Sequence, residues 1–298
     1  MHNTNMIDHK KGVLMILLST IAFGSYGTWS RLIGDSFGVF YQGWTRALII
    51  TLILLPILIY RKEIISIQKK DLGWLAIFLL FTTGTQAPLF YAFNHMDISS
   101  ATLLFFVTML ITMYGVGFIF LSEKVSVIKI ISLILAAVGL YVVFSFSVVQ
   151  FSLLAALMAA LNGVASGGEV AFSKKISSSY SPLYLTWLSW LVIIPTNGVL
   201  SLMIGEKQHI PSLDIAWLWQ AAYVIASIFA FYLIIAGLKH LEASIGGLLG
   251  LLEVLWGITF GIIIFNEILT IKIILGGFLI ISAAALPHLY ELRKRLST

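Results

Sequence analysis

Ten apolar stretches recur along this chain, at 12–33, 39–60, 72–93, 98–121, 126–144, 151–174, 182–204, 213–238, 243–265 and 271–290. Each is close to the roughly 20 residues a helix needs to cross a hydrocarbon core of about 30 Å. The connections between them are too short to hold a soluble domain, so neighbouring helices must run antiparallel. Only 10 % of the residues are charged and 59 % are hydrophobic. A soluble domain carries about 25 % charge, so most of this surface has to face lipid. The expectation is an all-α, multi-pass membrane protein. The first stretch follows Lys10-Lys11, as a signal peptide would, but it is too long for an h-region and has no A-x-A-like site.

The formal charge of +5 is distributed as a topology signal, and not as a nucleic-acid footprint. With the N-terminus inside, the inner segments hold Lys10, Lys11, Arg61, Lys62, Lys69, Lys70, Lys124, Lys129, Lys174, Lys175, Lys239, Arg293, Lys294 and Arg295. The outer segments hold only Arg31, Lys207 and Lys272. This asymmetry predicts a cell (plasma or inner) membrane protein with both termini cytoplasmic. Losing one span would scramble the sorting, which supports ten.

The segment Ser244 to Lys272 has an earlier copy, Ser100 to Lys129. Ser100, Gly117, Ile119 and Glu123 match Ser244, Gly261, Ile263 and Glu267 at a constant offset of 144. Gly24, Tyr41 and Pro56 match Gly163, Tyr180 and Pro195 at an offset of 139. Constant offsets point to duplication of a five-helix unit, divided as 1–146 and 147–298. Five is odd, so the two copies should be inverted repeats, with a binding site near the midplane at their interface.

Two five-helix halves of this kind resemble the drug/metabolite transporter superfamily, in its EamA-like members. So does a Glu with a short polar step after the fourth and ninth spans, in Leu121-Ser-Glu123-Lys-Val-Ser126 and Phe265-Asn-Glu267-Ile-Leu-Thr270. An Arg early in the second span, Arg46 in Trp44-Thr-Arg46-Ala-Leu, is similar to the family as well. The resemblance implies ten helices around a central cavity lined mainly by spans one, three, four, six, eight and nine, and alternating access. Members move amino acids, other metabolites, sugars or drugs.

Three ionisable residues fall well inside spans: Arg46, Glu169 and Glu253. An uncompensated charge at mid-helix costs about 2.5–3.5 kcal/mol on insertion scales, so each should face a partner or water. Glu253 shares one helical face with Gly246, Gly250, Gly257 and Gly261. Glycines let another backbone approach closely, so this face is turned to protein. Glu253 and Glu169 are the candidates for proton coupling, and Glu253 could also anchor a substrate ammonium. Arg46 differs too much in depth from Glu169 for easy pairing but is within reach of Glu253. It is read as the charge partner of Glu253, as a tie of span two to the bundle, or as an anchor for a substrate anion. Glu169 lies in a polar stripe with Asn162, Ser166 and Ser173, read as a cavity wall. In span three, Pro88 is expected to bend the helix and to present Gln86 and Tyr91 to the cavity. Tyr26, Tyr223, Ser227 and Trp256 complete the expected wall, with Trp29, Trp44, Trp74 and Trp217 read as interfacial anchors.

With no cysteine and no intramembrane His cluster, nothing in the sequence builds a metal site. Nor is there a phosphate-cradling G-x-x-x-x-G-K-[ST]. No cofactor is expected and ATP is not the drive. The reading is a secondary transporter of small organic solutes, of the amino-acid or related metabolite class, working as an exporter with proton coupling open to it. A homodimer is compatible with the sequence. Two alternatives stand beside it: a sugar or nucleotide-sugar carrier of the same fold, and a membrane-embedded enzyme acting on lipid or prenyl substrates.

Overall fold

The computed structural model describes residues 2–145 and 152–296. Among them are ten helices long and apolar enough to cross a membrane: Asp8–Ser36, Val39–Tyr60, Lys69–His95, Ile98–Phe120, Val127–Phe144, Leu153–Ile176, Pro182–Met203, Ile215–Leu238, Ala243–Phe265 and Ile271–Tyr290. They are called spans one to ten. The expected start of span six at Phe151, and the division at 146/147, lie outside the described residues. Span eight begins two residues later than expected because Asp214 caps it, its carboxylate accepting the Trp217 N–H at 3.0 Å.

Span three bends as the sequence suggested, but Pro88 does not sit inside a helix. One helix ends at Thr83 and another begins at Ala87, with Pro88 in its first turn, where a missing N–H removes nothing. The break frees the Gly84 carbonyl, which accepts from Asn162 Nδ2 at 3.3 Å. Spans one and nine loosen at Ser25 and Leu251, which the sequence reading did not anticipate.

The most extensive packing joins span four to six, one to eight, five to ten, three to six, two to seven and one to nine. Advancing each span by five, cyclically, maps this set onto itself. Pairs five/ten and two/seven map to themselves, one/eight maps to six/three, and four/six maps to nine/one. Glycines mark the closest of these approaches. A Cβ on Gly24 would come 2.7 Å from the Glu253 carbonyl and 3.0 Å from the Gly257 nitrogen, while one on Gly163 would overlap Thr108 and the Phe105 carbonyl. These two glycines are the pair matched at offset 139. The large pairings lie between the halves, so neither half has a core of its own.

Candidate functional site

A cavity of about 760 Å³ lies at the centre of the bundle, walled by spans one to nine, span five contributing only Phe144. Its lining reaches Ser30, Val39, Phe93, Thr102, Phe144 and Glu267, which sit at the ends of their spans on the face opposite the termini. That face is called the far end. Val39 and Phe93 are exposed there, and the Glu267 side chain is half-exposed.

The near end is sealed. Glu123 accepts hydrogen bonds from the backbone N–H groups of Ala243 and Ser244, and from Ser244 Oγ at 2.9 Å. Lys174 pairs with it at 2.9 Å and also donates to the Leu241 carbonyl. Lys129 pairs with Glu242, and Tyr114 donates to the Lys129 carbonyl. Glu123, Leu241, Ala243 and Ser244 are all buried. Burial alone would lift the Glu123 carboxyl, but Lys174 and the two N–H groups outweigh it and hold it below the ordinary carboxylate range. A group held down in the folded state stabilises fully above its unfolded pKa, and that contribution is lost as pH falls through the folded value. Glu123→Gln is therefore expected to lower stability by about 3–5 kcal/mol at neutral pH. It should also flatten the loss of thermal stability expected on acidification below about pH 4.5. Melting in detergent as a function of pH checks both.

Arg46 is 5 % exposed, and its guanidinium carbon lies 3.8 Å from the Tyr223 ring centre, 5.2 Å from Trp190 and 5.8 Å from Tyr26. Stacked aromatic faces hold a guanidinium through its plane and leave its edge N–H groups for another partner. Its Nε is buried without a hydrogen bond, and no carboxylate of the described residues pairs with it. Glu253 lines the same cavity and is partly buried. Its carboxylate likewise makes no ion pair or hydrogen bond among the described residues. Glu169 is 3 % exposed and accepts from Thr82 Oγ1 at 3.0 Å and from Ser189 Oγ. Lys174, further along the same helix, is paired with Glu123. Beside Gln86, the Asn197 amide donates to the Gln86 carbonyl oxygen, over the bare backbone of Gly43.

Tyr26, Arg46, Gln86, Ser166, Glu169, Tyr223 and Glu253 all line the cavity. Five expected wall residues do not. Ser173 is buried, its hydroxyl donating to the Val170 carbonyl of its own helix. Asn162 is fully buried between spans three and six, covered by the broken stretch of span three. Ser227 is fully buried although Tyr223 and Phe231, one turn either side of it, line the cavity. The new helix after the break turns Gln86, Leu89, Phe90 and Phe93 inward and leaves Tyr91 stacked on His95 at 4.1 Å. Trp256 is 36 % exposed, its Cβ against the Gly24 backbone and its ring beside Phe260. Trp29, Trp44 and Trp217, expected as interfacial anchors, pack into an aromatic cluster with Phe37, Tyr41 and Tyr223.

Span seven supplies Ser189 and Trp190, and span two supplies Gln42; the sequence reading passed over all three. A signal was present. Thr186, Ser189, Asn197 and Ser201 form a buried polar stripe on span seven at spacings that keep one face. Among the described residues no three His, Asp or Glu side chains converge as a metal site would require.

A family model, that of the EamA-like transporter family, matches this chain twice, over residues 10–145 and 153–287. The chain belongs to the EamA-like transporter family. Each match covers five of the ten spans, in agreement with the exchange pattern of the packing. An uncharacterized transporter of Helicobacter pylori (strain J99 / ATCC 700824) is 24 % identical over 291 residues, covering 96 % of this chain and 97 % of that protein. A solved crystal structure aligns with 94 % of this chain and 98 % of its own, with a TM-score of 0.78 at 16 % identity. At that identity the likeness shows the fold. Family membership makes this a multi-pass membrane transporter, with Arg46, Glu169 and Glu253 lining the central cavity of an EamA-type bundle.

Proposed function

We propose that the protein is a secondary transporter of zwitterionic solutes of the amino-acid class, moved by alternating access between two inverted five-helix halves. The observation that carries the reading is the pair of ionisable groups of opposite type, Arg46 and Glu253, that line one cavity without an ion-pair partner among the described residues. Arg46 offers its free edge to a carboxylate, and Glu253 offers a carboxylate to an ammonium. An Arg fork matches a carboxylate in two parallel hydrogen bonds, and the aromatic rings beside it suit the apolar part of such a solute. Buried charges left without partners are expensive in a membrane, and a solute that completes both explains why they are retained.

Glu253 is the proton carrier in this scheme, with Glu169 second, because a carboxyl with no fixed partner is free to exchange a proton when the solute leaves. The membrane is the cell membrane and both termini face the cytoplasm, on the strength of the Lys and Arg asymmetry. The direction assigned is export, which vesicles of the two orientations read separately.

The test is amino-acid counterflow in proteoliposomes, after a screen for solutes that raise the melting temperature of the purified protein. Exchange of labelled for unlabelled solute is expected, and product formation without exchange would show an enzyme instead. In the Glu253→Gln variant transport should become independent of pH; a profile that keeps the wild-type pH dependence removes Glu253 from the proton role.

A further inference from the structure

Spans two, four, seven and nine each have a glutamate two or three residues beyond the last helical residue: Glu63, Glu123, Glu206 and Glu267. In the five-span exchange, two is paired with seven and four with nine. Three of the glutamates reach to the N-terminus of their exchange partner. Glu63 accepts from Ser181 Oγ, the N-cap of span seven. Glu206 accepts from the N–H groups of Phe40 and Tyr41 in the first turn of span two. Glu123 accepts from the first two N–H groups of span nine. Unpaired N–H groups and the positive end of the helix dipole make each N-terminus a seat for a carboxylate.

The fourth does not reach. Glu267 shares three local features with Glu123, and a cation beside it. The residue before each is left-handed, Ser122 at φ 57° and Asn266 at φ 55°. The Glu123 N–H donates to the Gly117 carbonyl at 3.0 Å and the Glu267 N–H to that of Gly261 at 3.2 Å. Each carboxylate folds over that glycine, close enough to clash with an added Cβ. Each also has a cation from the neighbouring span, Lys174 for Glu123 and Arg31 for Glu267. Yet Glu123 is buried on span nine, while Glu267 is half-exposed at the far mouth of the cavity. The inner half of span nine, Ala243–Gly250, packs along span four, whereas Leu252–Phe265 scarcely touches it.

At offset 144 the seat equivalent to Ala243 and Ser244 is Ser99 and Ser100. Another group holds it: Asp97 Oδ2 accepts from the Ser100 N–H at 2.9 Å and from Ser100 Oγ at 3.0 Å. The residue equivalent to Asp97 before span nine is Leu241, which offers no side-chain acceptor.

We infer that Glu267 is the moving latch of the far gate, taking the Ser100 N–H from Asp97, and engaging that of Ser99 beside it, when the cavity closes at that end. Asp97 caps span four while the gate stands open, and Arg31 travels with Glu267 as Lys174 stays with Glu123. Spans two and seven, latched at both ends, are the static frame. The inference rests on the alternating-access reading above.

The chain has no cysteine, so cysteines placed at the exposed positions Ile98 and Leu269 can be spin-labelled with no native cysteine to remove first. Distance distributions in liposomes should show two populations across the mouth. Glu267→Gln should shift their ratio toward the longer distance by about tenfold, the effect of one charged helix cap, and Asp97→Ala should shift it toward the shorter. A ratio that Glu267→Gln leaves within about twofold of wild type overturns the latch while leaving alternation intact. A shift in the same direction from both variants, as a general loss of charge would give, also overturns it. A single distance in every background overturns the latch and the alternating-access reading together.

Discussion

Arg46→Gln is expected to weaken binding of the carrier's solute by about 30-fold or more while raising the melting temperature of the empty protein. The opposite signs have one cause. Arg46 is buried among Tyr223, Trp190 and Tyr26, with Nε unpaired and no carboxylate beside it. Cation–π contact with three rings offsets part of the burial cost, about 0.5–2 kcal/mol, against an insertion cost of about 2.5–3.5 kcal/mol for a membrane charge. The empty site is therefore left strained, and a neutral amide relieves it. Removing one partner of a desolvated ion pair with the solute carboxylate costs about 2–5 kcal/mol, which sets the lower bound on the loss. Arg46→Lys should fall between, because an ammonium keeps the charge but not the planar fork. If Arg46 only tied span two to the bundle, the glutamine variant would melt earlier. Calorimetric titration and thermal melting of the same preparations separate the two outcomes.

Gly163→Ala is expected to destabilise the protein by about 3 kcal/mol or to prevent its assembly, with Gly24→Ala close behind. The methyl at Gly163 has nowhere to go. It would overlap Thr108 Oγ1 and the Phe105 carbonyl and come 2.9 Å from the Met109 nitrogen, all on span four. Two of these are backbone atoms that no rotamer change can move. The same approach carries a hydrogen bond between helices, Thr108 Oγ1 donating to the Ala160 carbonyl at 3.1 Å. Pushing the helices apart loses that bond and the close packing that drives association in lipid. At Gly24 the obstacles are the Trp256 Cβ at 2.5 Å and the Glu253 carbonyl at 2.7 Å. Gly115→Ala is the control: nothing lies within 4 Å of its added methyl, so that variant should gain up to about 1 kcal/mol of helix propensity. Yield and melting temperature of the three variants in one detergent give the comparison.

The glycine pair shows what was legible in the sequence. Gly24 and Gly163 could be matched by offset alone, and the packing places them at exchange-related helix crossings. Glu253 and its glycines were legible too, since one acid among small residues in a long apolar run has few places to face. What a single helical face could not give was its edge. Gly246, Gly250, Glu253, Val254 and Gly257 line the cavity. At about 100° per residue, the arc runs from Glu253 through Gly257 and Val254 to Ile258. Trp256 lies about 60° beyond Glu253 on the other side, and so turns outward although it is only three residues away. Asn162 and Tyr91 were misplaced for another reason. The break at Gly84–Gln86 resets the phase of span three, and periodicity cannot be carried across it. Span seven was missed because its Ser and Thr residues look like ordinary back-bonding hydroxyls until Glu169, from another helix, is placed against Ser189.

The interlocked packing of the spans has a consequence for how the chain comes into being. When the ribosome has released five helices, spans two and five have not met the partners on which they pack most extensively, since seven and ten are not yet made. The first half must wait in the bilayer with its glycine-rich faces against lipid. Glu123 waits as well, its seat on span nine still unsynthesised, so the near end can seal only when nine of the ten helices are in place.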